Sequence, residues 1–198
     1  MPETAQTPSD PRPAIVICAY DADEAGWDPV EDLSGEPWSP PGARTLAVEG
    51  GEPEALAATL LSHLQDQRCR ALLLVGRTRR SATFRLQIRA ENRSLDGARR
   101  LTNVGPSVAR ATAPAAEIMR AFNEAGLAIE ATSEAEDDAG SYLLYRVLSG
   151  LAEGQDTPAV GLLRAPENES SAAMQRAVKA AAEAMARHLS PLPRARAS

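Results

Sequence analysis

Aromatic residues, cysteine and histidine are all scarce in this 198-residue sequence. Phe, Trp and Tyr together make up 4% of the residues, and there are two Cys and two His. Aliphatic side chains, Ala and Met must therefore fill the core, and a disulfide framework is not indicated. A zinc site needs three or four His, Cys or carboxylate ligands in one place. We therefore expect no metal site.

Long hydrophobic runs are also missing. The longest, such as 71–75, are far shorter than the roughly 20 residues that cross a bilayer, and residues 1–13 lack the basic and apolar regions of a secretory signal. We expect no membrane span and a cytoplasmic location. The formal net charge of −6 argues against binding nucleic acid as the main function.

Glycine-dependent catalytic motifs are absent as well. The stretch from Gly76 to Ser81 lacks the second glycine and the lysine of a phosphate-binding loop. Neither Ser107 nor Ser141 has glycine on both sides, as a nucleophile elbow requires. We therefore expect no nucleotide cofactor and no α/β-hydrolase chemistry.

The remaining composition, 43% hydrophobic and 24% charged, is typical of a folded globular protein. Apolar runs and helical spacings predict strands at 14–18, 43–48, 71–75, 82–90, 127–129 and 158–163, and helices at 52–67, 114–125, 141–151 and 171–189. This order predicts an α/β fold with three layers, α/β/α, around a mainly parallel, doubly wound sheet. We expect one domain over 14–189 between flexible tails at 1–13 and 190–198.

The segment 82–90 alternates with a strict period of two. Its apolar positions are Ala82, Phe84, Leu86, Ile88 and Ala90, and its polar ones are Thr83, Arg85, Gln87 and Arg89. Such alternation predicts a strand with one buried face, which places Gln87 on the polar face between two arginines.

Four single residues carry only weak indications of chemistry. His63 and His188 lie on separate predicted helices, where structural roles are favoured. Cys18 ends the first strand, where sites collect in such folds, but no base accompanies it, so a buried inert thiol is favoured over a nucleophile. Cys69, between two arginines, is interpreted as a packing or surface residue.

An arginine cluster stands out in this acidic chain. It could form an anion-binding or docking face. The favoured interpretation is that these arginines pair with acids such as 134–138 across a subunit contact, or stay solvated. Its members are Arg77, Arg79, Arg80, Arg85, Arg89, Arg93, Arg99 and Arg100.

Several motifs, spread over residues 14–189, are similar to those of one known enzyme family. Residues 17–19 followed by Asp28-Pro29 resemble its first strand and loop. Residues 87–92, Gln-Ile-Arg-Ala-Glu-Asn, resemble its Glu-Arg-X-Ala-X-Asn motif, and 139–145 resemble its Ala-Gly-Thr-Tyr-X-Cys-Asn motif. Residues 162–166, Leu-Leu-Arg-Ala-Pro, resemble its Phe-Ile-His-X-Pro motif. As a set, these motifs resemble pyroglutamyl peptidase type I, a cysteine peptidase family.

The resemblance implies that all three triad positions are replaced. Gln87 takes the place of the Glu, Leu144 that of the nucleophilic Cys, and Arg164 that of the His. Leucine has no attacking lone pair, arginine does not deprotonate near neutral pH, and an amide cannot stabilise an imidazolium. A pseudoenzyme that binds or assembles is therefore expected.

The resemblance also implies a remnant pocket and partners. Gln87, Arg164, Cys18 and Tyr142 would line a pocket for a small carboxylate or pyroglutamyl-like ligand, and a homo-oligomer, dimer or tetramer, is expected. Two alternatives to a pseudoenzyme remain open. One is an active cysteine-type hydrolase of pyroglutamyl peptides, which would use a shifted alignment or Cys18. The other is a subunit partner of an active homologue.

Overall fold

A six-stranded mixed sheet forms the centre of the computed structural model, which describes residues 10–21, 37–95, 99–152, 154 and 157–189. The strand order is β2-β1-β3-β8-β4-β7. The strands are β1 Ala14–Ala19, β2 Arg44–Val48, β3 Cys69–Thr78, β4 Phe84–Gln87, β7 Ile129–Thr132 and β8 Ala159–Pro166. β4 runs antiparallel to β8, and the other neighbouring pairs are parallel.

Four helices cover the two faces of this sheet, as α1 Pro53–Gln65, α2 Ala115–Glu124, α3 Ala139–Gly150 and α4 Ser171–His188. Buried residues of α2 and α4 share one apolar cluster with one face of the sheet, and those of α1 and α3 share a second cluster with the other. The predicted three-layer α/β/α fold is therefore confirmed. Glu52 accepts hydrogen bonds at the start of α1, and Gly126, with φ +70°, follows α2.

The predicted strand 82–90 was wrong in extent and in its polar face. The chain leaves the sheet after Gln87, and β5 Arg89–Glu91 pairs instead with β6 Val108–Arg110 as a separate antiparallel pair that the pattern did not indicate. Arg85 and Gln87 are buried, whereas the apolar Ile88 is 37% exposed. The cause is that α3 covers the predicted solvent face, and the polar side chains there bond to one another.

Parts of several predictions lie outside the described residues. These are residues 1–9 and 190–198 of the two predicted tails and the Asp28-Pro29 pair of the first motif. Within the predicted N-terminal tail, the carbonyl of Pro13 accepts a hydrogen bond from the backbone of Arg44 at 2.9 Å. None of the helices in the described part of the chain combines the length and hydropathy needed to cross a bilayer.

Candidate functional site

Arg164 lies near the carboxyl end of β8, on the face of the sheet that α3 covers. It pairs in register with Gly76 of β3 on one side and with Arg85 of β4 on the other. Its side chain is wholly buried, although it is the longest cationic side chain available to a protein. A buried guanidinium is tolerated only when its charge and its donors are matched.

The hydrogen-bond partners of Arg164 come from three separate parts of the chain. Nη1 and Nη2 bind the two carboxylate oxygens of Asp138, with Nη2 to Oδ1 at 2.7 Å. Nη2 also donates to Ser141 Oγ at 3.0 Å, and Nη1 to the Tyr20 hydroxyl at 2.9 Å. Nε and Nη2 each lie 3.3 Å from Gln87 Oε1. Each guanidinium nitrogen is thus bonded within the protein.

This arrangement keeps Arg164 charged. Burial alone would lower the pKa of Arg164, but the Asp138 hydrogen bonds and the surrounding negative charges outweigh it, so the pKa is raised above its ordinary value. A permanent cation cannot act as a proton acceptor. Arg164 is therefore one half of an ion pair and not a base.

Asp138 has two roles because it stands at the N-terminus of α3. Its Oδ1 caps the helix by accepting from the Ser141 backbone N–H at 3.0 Å, while both oxygens bind Arg164. A carboxylate is favoured at a helix N-terminus, where the free N–H groups carry partial positive charge. The same side chain thus orders α3 and neutralises the buried cation.

Tyr20 fills the space in front of this ion pair. It follows β1 by one residue, and its hydroxyl lies 3.4 Å from Asp138 Oδ2 as well as 2.9 Å from Arg164. Its ring lies against the backbone of Gly76 and Gly140, where an added Cβ would be far inside van der Waals contact with the ring. Burial raises the pKa of Tyr20 well above its ordinary value, so the hydroxyl stays protonated.

Arg85 and Glu136 extend the network next to Arg164. Glu136 Oε1 accepts from Thr78 Oγ1 at 2.8 Å and lies 3.6 Å from Arg164 Nε. Arg85, which is buried, forms ion pairs with Glu130, Glu134 and Glu136 at 3.0–3.5 Å. The acids 134–138 therefore pair with arginines inside this chain, which corrects the two favoured alternatives for Arg85: it neither reaches across a subunit contact nor stays solvated.

The predicted site residues come together only in part. Gln87 and Arg164 touch, and Ser141 Oγ joins them by a hydrogen bond to Gln87 Oε1 at 3.3 Å. Leu144 lies one turn further along α3, wholly buried in the apolar cluster that also contains Cys18 and Tyr142. The positions that the resemblance assigns to the triad His and Glu are thus in contact, and the position assigned to the nucleophile lies among apolar side chains.

Cys18 is wholly buried, and that burial raises the pKa of its thiol to about 12. At pH 8 the thiol is therefore almost entirely protonated. The two histidines lie on other elements. His188 ends α4, across the sheet from Arg164, and His63 lies in the last turn of α1, toward the edge of the sheet where β3 begins. No imidazole accompanies Cys18.

We predict that native Cys18 resists thiol reagents. At pH 8, 5,5′-dithiobis(2-nitrobenzoic acid) should react with Cys18 only as fast as the protein opens, because the buried thiol is protonated. Denaturant should release both thiols rapidly, and the Cys69→Ser variant isolates the Cys18 signal. Rapid labelling of the native Cys69→Ser variant would contradict the assignment.

No group of three or more His, Cys, Asp or Glu side chains that could hold a metal ion occurs among the residues the structure describes. The acids near Arg164 are instead neutralised by arginine side chains. The arrangement supplies an ion pair, a phenol, a serine hydroxyl and the Gln87 amide.

Known structures share this architecture. The pyrrolidone carboxyl peptidase of Thermus thermophilus superposes with a TM-score of 0.67 at 21% identity, covering 86% of this chain and 98% of the peptidase. Pyroglutamyl peptidase I of Bacillus amyloliquefaciens gives 0.70 at 14% identity, over 88% and 95% of the two chains. The Thermococcus litoralis enzyme gives 0.69 at 12%, over 89% and 94%.

The chain has the pyrrolidone carboxyl peptidase fold. No family model and no curated protein sequence matches it. The similarity to the peptidases therefore resides in the backbone, over nearly their whole length. Gln87, Leu144 and Arg164, which belong to three of the sequence motifs, lie on neighbouring elements of this fold.

Two residues of the site, Asp138 and Tyr20, were not predicted from the sequence. Asp138 ends an acidic run, and its position just before Ala139-Gly140-Ser141 was a recognisable helix cap, but nothing local connects it with Arg164. Tyr20 lies two residues after Cys18, just beyond β1, and packs on the same side of the sheet as Cys18; this spacing could have placed it near the site. The contact across 144 residues to Arg164 had no sequence signal.

Proposed function

We propose that this chain is a catalytically inactive member of the pyrrolidone carboxyl peptidase family that acts through binding or assembly. One observation carries the proposal: the buried Arg164 guanidinium, at the position assigned to the general base, is held by Asp138, Tyr20, Ser141 and Gln87. A proton acceptor has thus been exchanged for a saturated cation. No step of covalent peptide hydrolysis by the family mechanism can start there.

The alternative, a cysteine-type pyroglutamyl-peptide hydrolase, depends on Cys18 because the other thiol, Cys69, lies at the opposite end of β3 from Gly76. Thiolate attack needs exposure, a lowered pKa and a base. Cys18 has a raised pKa, is wholly buried and lies among apolar side chains. These features of Cys18 favour a catalytically inactive protein.

We expect the purified protein not to release chromophore from a pyroglutamyl amide substrate such as pyroglutamyl-p-nitroanilide. Cys18→Ser should leave this background unchanged, because Cys18 serves packing and not attack. An active pyroglutamyl peptidase in the same assay provides the positive control. Turnover above buffer that disappears in Cys18→Ser would establish the hydrolase alternative instead.

We also propose a small carboxylate or pyroglutamyl-like ligand and a homo-oligomer. A small carboxylate or pyroglutamyl-like ligand would have to compete with Asp138 for Arg164, since every guanidinium nitrogen already has a partner. A millimolar pyroglutamate solution that leaves the melting temperature unchanged would count against that ligand. Sedimentation velocity tests the proposed dimer or tetramer, and a monomer at every concentration would remove it.

A further inference from the structure

Exposed apolar side chains concentrate around the β5–β6 pair. The four large hydrophobic residues that are exposed in the described part of the chain all fall within 88–108, and Val104 is 91% exposed. They are Ile88, Leu95, Val104 and Val108. A single exposed apolar residue needs no explanation, but a local concentration of them marks a contact surface.

The same stretch is strongly basic. Residues 77–110 hold nine arginines and two acids, a formal charge of +7, whereas the whole chain carries −6 and the remainder therefore −13. Arg85 and Arg93 are paired with acids, but Arg110 forms no ion pair with any residue the structure describes. Apolar side chains interspersed with arginine are typical of protein contact surfaces.

The hydrogen-bond pattern of the β5–β6 pair leaves the outer edge of β6 without partners among the described residues. Asn92 N–H donates to the Ser107 carbonyl at 3.0 Å, and Ala111 N–H to that of Ile88 at 3.1 Å. In the antiparallel register, Glu91 opposite Val108 and Arg89 opposite Arg110 are therefore non-hydrogen-bonded pairs. The backbone N–H and C=O groups of Val108 and Arg110 consequently point away from β5.

The outward carbonyls of β5 already accept hydrogen bonds from side-chain and turn groups. The Arg89 carbonyl accepts from Gln87 Nε2 at 2.8 Å, and the Glu91 carbonyl from the Arg93 N–H at 2.8 Å. For β6, no described residue other than those of β5 bonds to the backbone of the strand. β6 is thus the edge that can accept another strand.

We propose that the outer edge of β6 binds an extended, acidic peptide segment of a partner protein as an added strand. The outward N–H and C=O groups supply the backbone pairing, Arg110 supplies the charge that selects acidic side chains, and Val108 and Val104 supply apolar contact. An extended polypeptide meets all three requirements, whereas a nucleic acid offers no matching row of amide groups.

The test uses the full chain and a fluorescein-labelled peptide of alternating Glu and Val, with binding followed by anisotropy. Saturable binding is expected, about tenfold weaker for the matching Lys–Val peptide and for the Arg110→Glu protein. Arg176→Glu, which makes the same change of charge at an exposed position of α4, is the matched control and should bind as the unchanged protein does.

Strand addition has a further signature that mere charge attraction lacks. Only alternate residues of an added strand donate N–H groups to its neighbour. N-methylation of one alternate set of peptide amides should therefore abolish binding, and methylation of the other set should leave it nearly unchanged. Equal binding by both methylated peptides, or no binding of the parent peptide, overturns the proposal.

Two other outcomes would also overturn it. Association of the protein with itself that Arg110→Glu abolishes would make a second copy the occupant of this edge. Equal loss of binding in Arg176→Glu and Arg110→Glu would show attraction to the charge of the whole molecule. None of these measurements involves hydrolysis, so their outcome is independent of the proposal of catalytic inactivity.

Discussion

Asp138→Asn is expected to lower the free energy of unfolding by about 3–5 kcal/mol, because it leaves the wholly buried Arg164 cation without its main counter-charge. Asparagine keeps an oxygen that can cap α3, so the loss reports the charge and not the cap. Among the described residues, Glu136 then remains as the acid within ion-pair distance, with its Oε1 3.6 Å from Arg164 Nε and shared with Arg85. Urea denaturation with a constant slope measures the effect.

Arg164→Met should cost less, about 1–3 kcal/mol, although it removes the other half of the same pair. The Asp138 side chain is 31% exposed and can rehydrate, and methionine fills much of the apolar volume of the arginine stem. In the double variant the buried cation is absent, so its stability should be close to that of Arg164→Met alone. This non-additivity measures the coupling between the two side chains.

Asp137→Asn is the matched control for the first prediction. Asp137 lies next in sequence, and its ion pair with Arg93 joins two side chains that are each more than half exposed. Such a pair contributes at most about 1 kcal/mol. If Asp138→Asn were no more damaging than Asp137→Asn, the buried ion pair would not be what holds α3 against β8.

Tyr20→Ala is expected to cost about 2–4 kcal/mol, because it leaves a cavity between Gly76, Gly140 and the Arg164–Asp138 pair. Tyr20→Phe keeps the ring and removes only the hydroxyl contacts, so about 1 kcal/mol should be lost. Phenol at millimolar concentration should raise the melting temperature of Tyr20→Ala and not that of the unchanged protein.

Gly140→Ala gives this prediction a second, independent readout. In the unchanged protein, the new methyl group collides with the Tyr20 ring and should destabilise the fold. In the Tyr20→Ala background the collision is gone, and alanine in the first turn of α3 should be neutral or stabilising. Equal effects of Gly140→Ala in both backgrounds would mean that Tyr20 does not occupy this space.

These predictions concern a buried polar network. Arg164 is a fixed cation, the Gln87 amide oxygen accepts hydrogen bonds from it, and the space beside them holds Tyr20. The network links β1, β4, β8 and α3. Under the proposed function, it stands where a triad would keep groups that exchange protons in reach of a substrate.

The segment 82–90 shows what a sequence pattern can and cannot predict. Its period of two correctly indicated a strand, but a period reports only that two faces differ. Whether the polar face meets water or another layer depends on α3, which lies more than 50 residues later in the chain. Gln87 bonds to Ser141 of α3, and Arg85 bonds to Thr132 of β7 and to acids that precede α3, so both are buried polar residues.

By itself, the sequence determined the helices and the strands of the central sheet and the three-layer class, because apolar periodicity is a local property. Tertiary structure alone decided that Arg164 is neutralised by Asp138, that Tyr20 fills the adjoining space and that β6 exposes a free edge. These features arise from contacts between distant segments, and the geometry of a buried ion pair is set only when the elements that carry it have packed together.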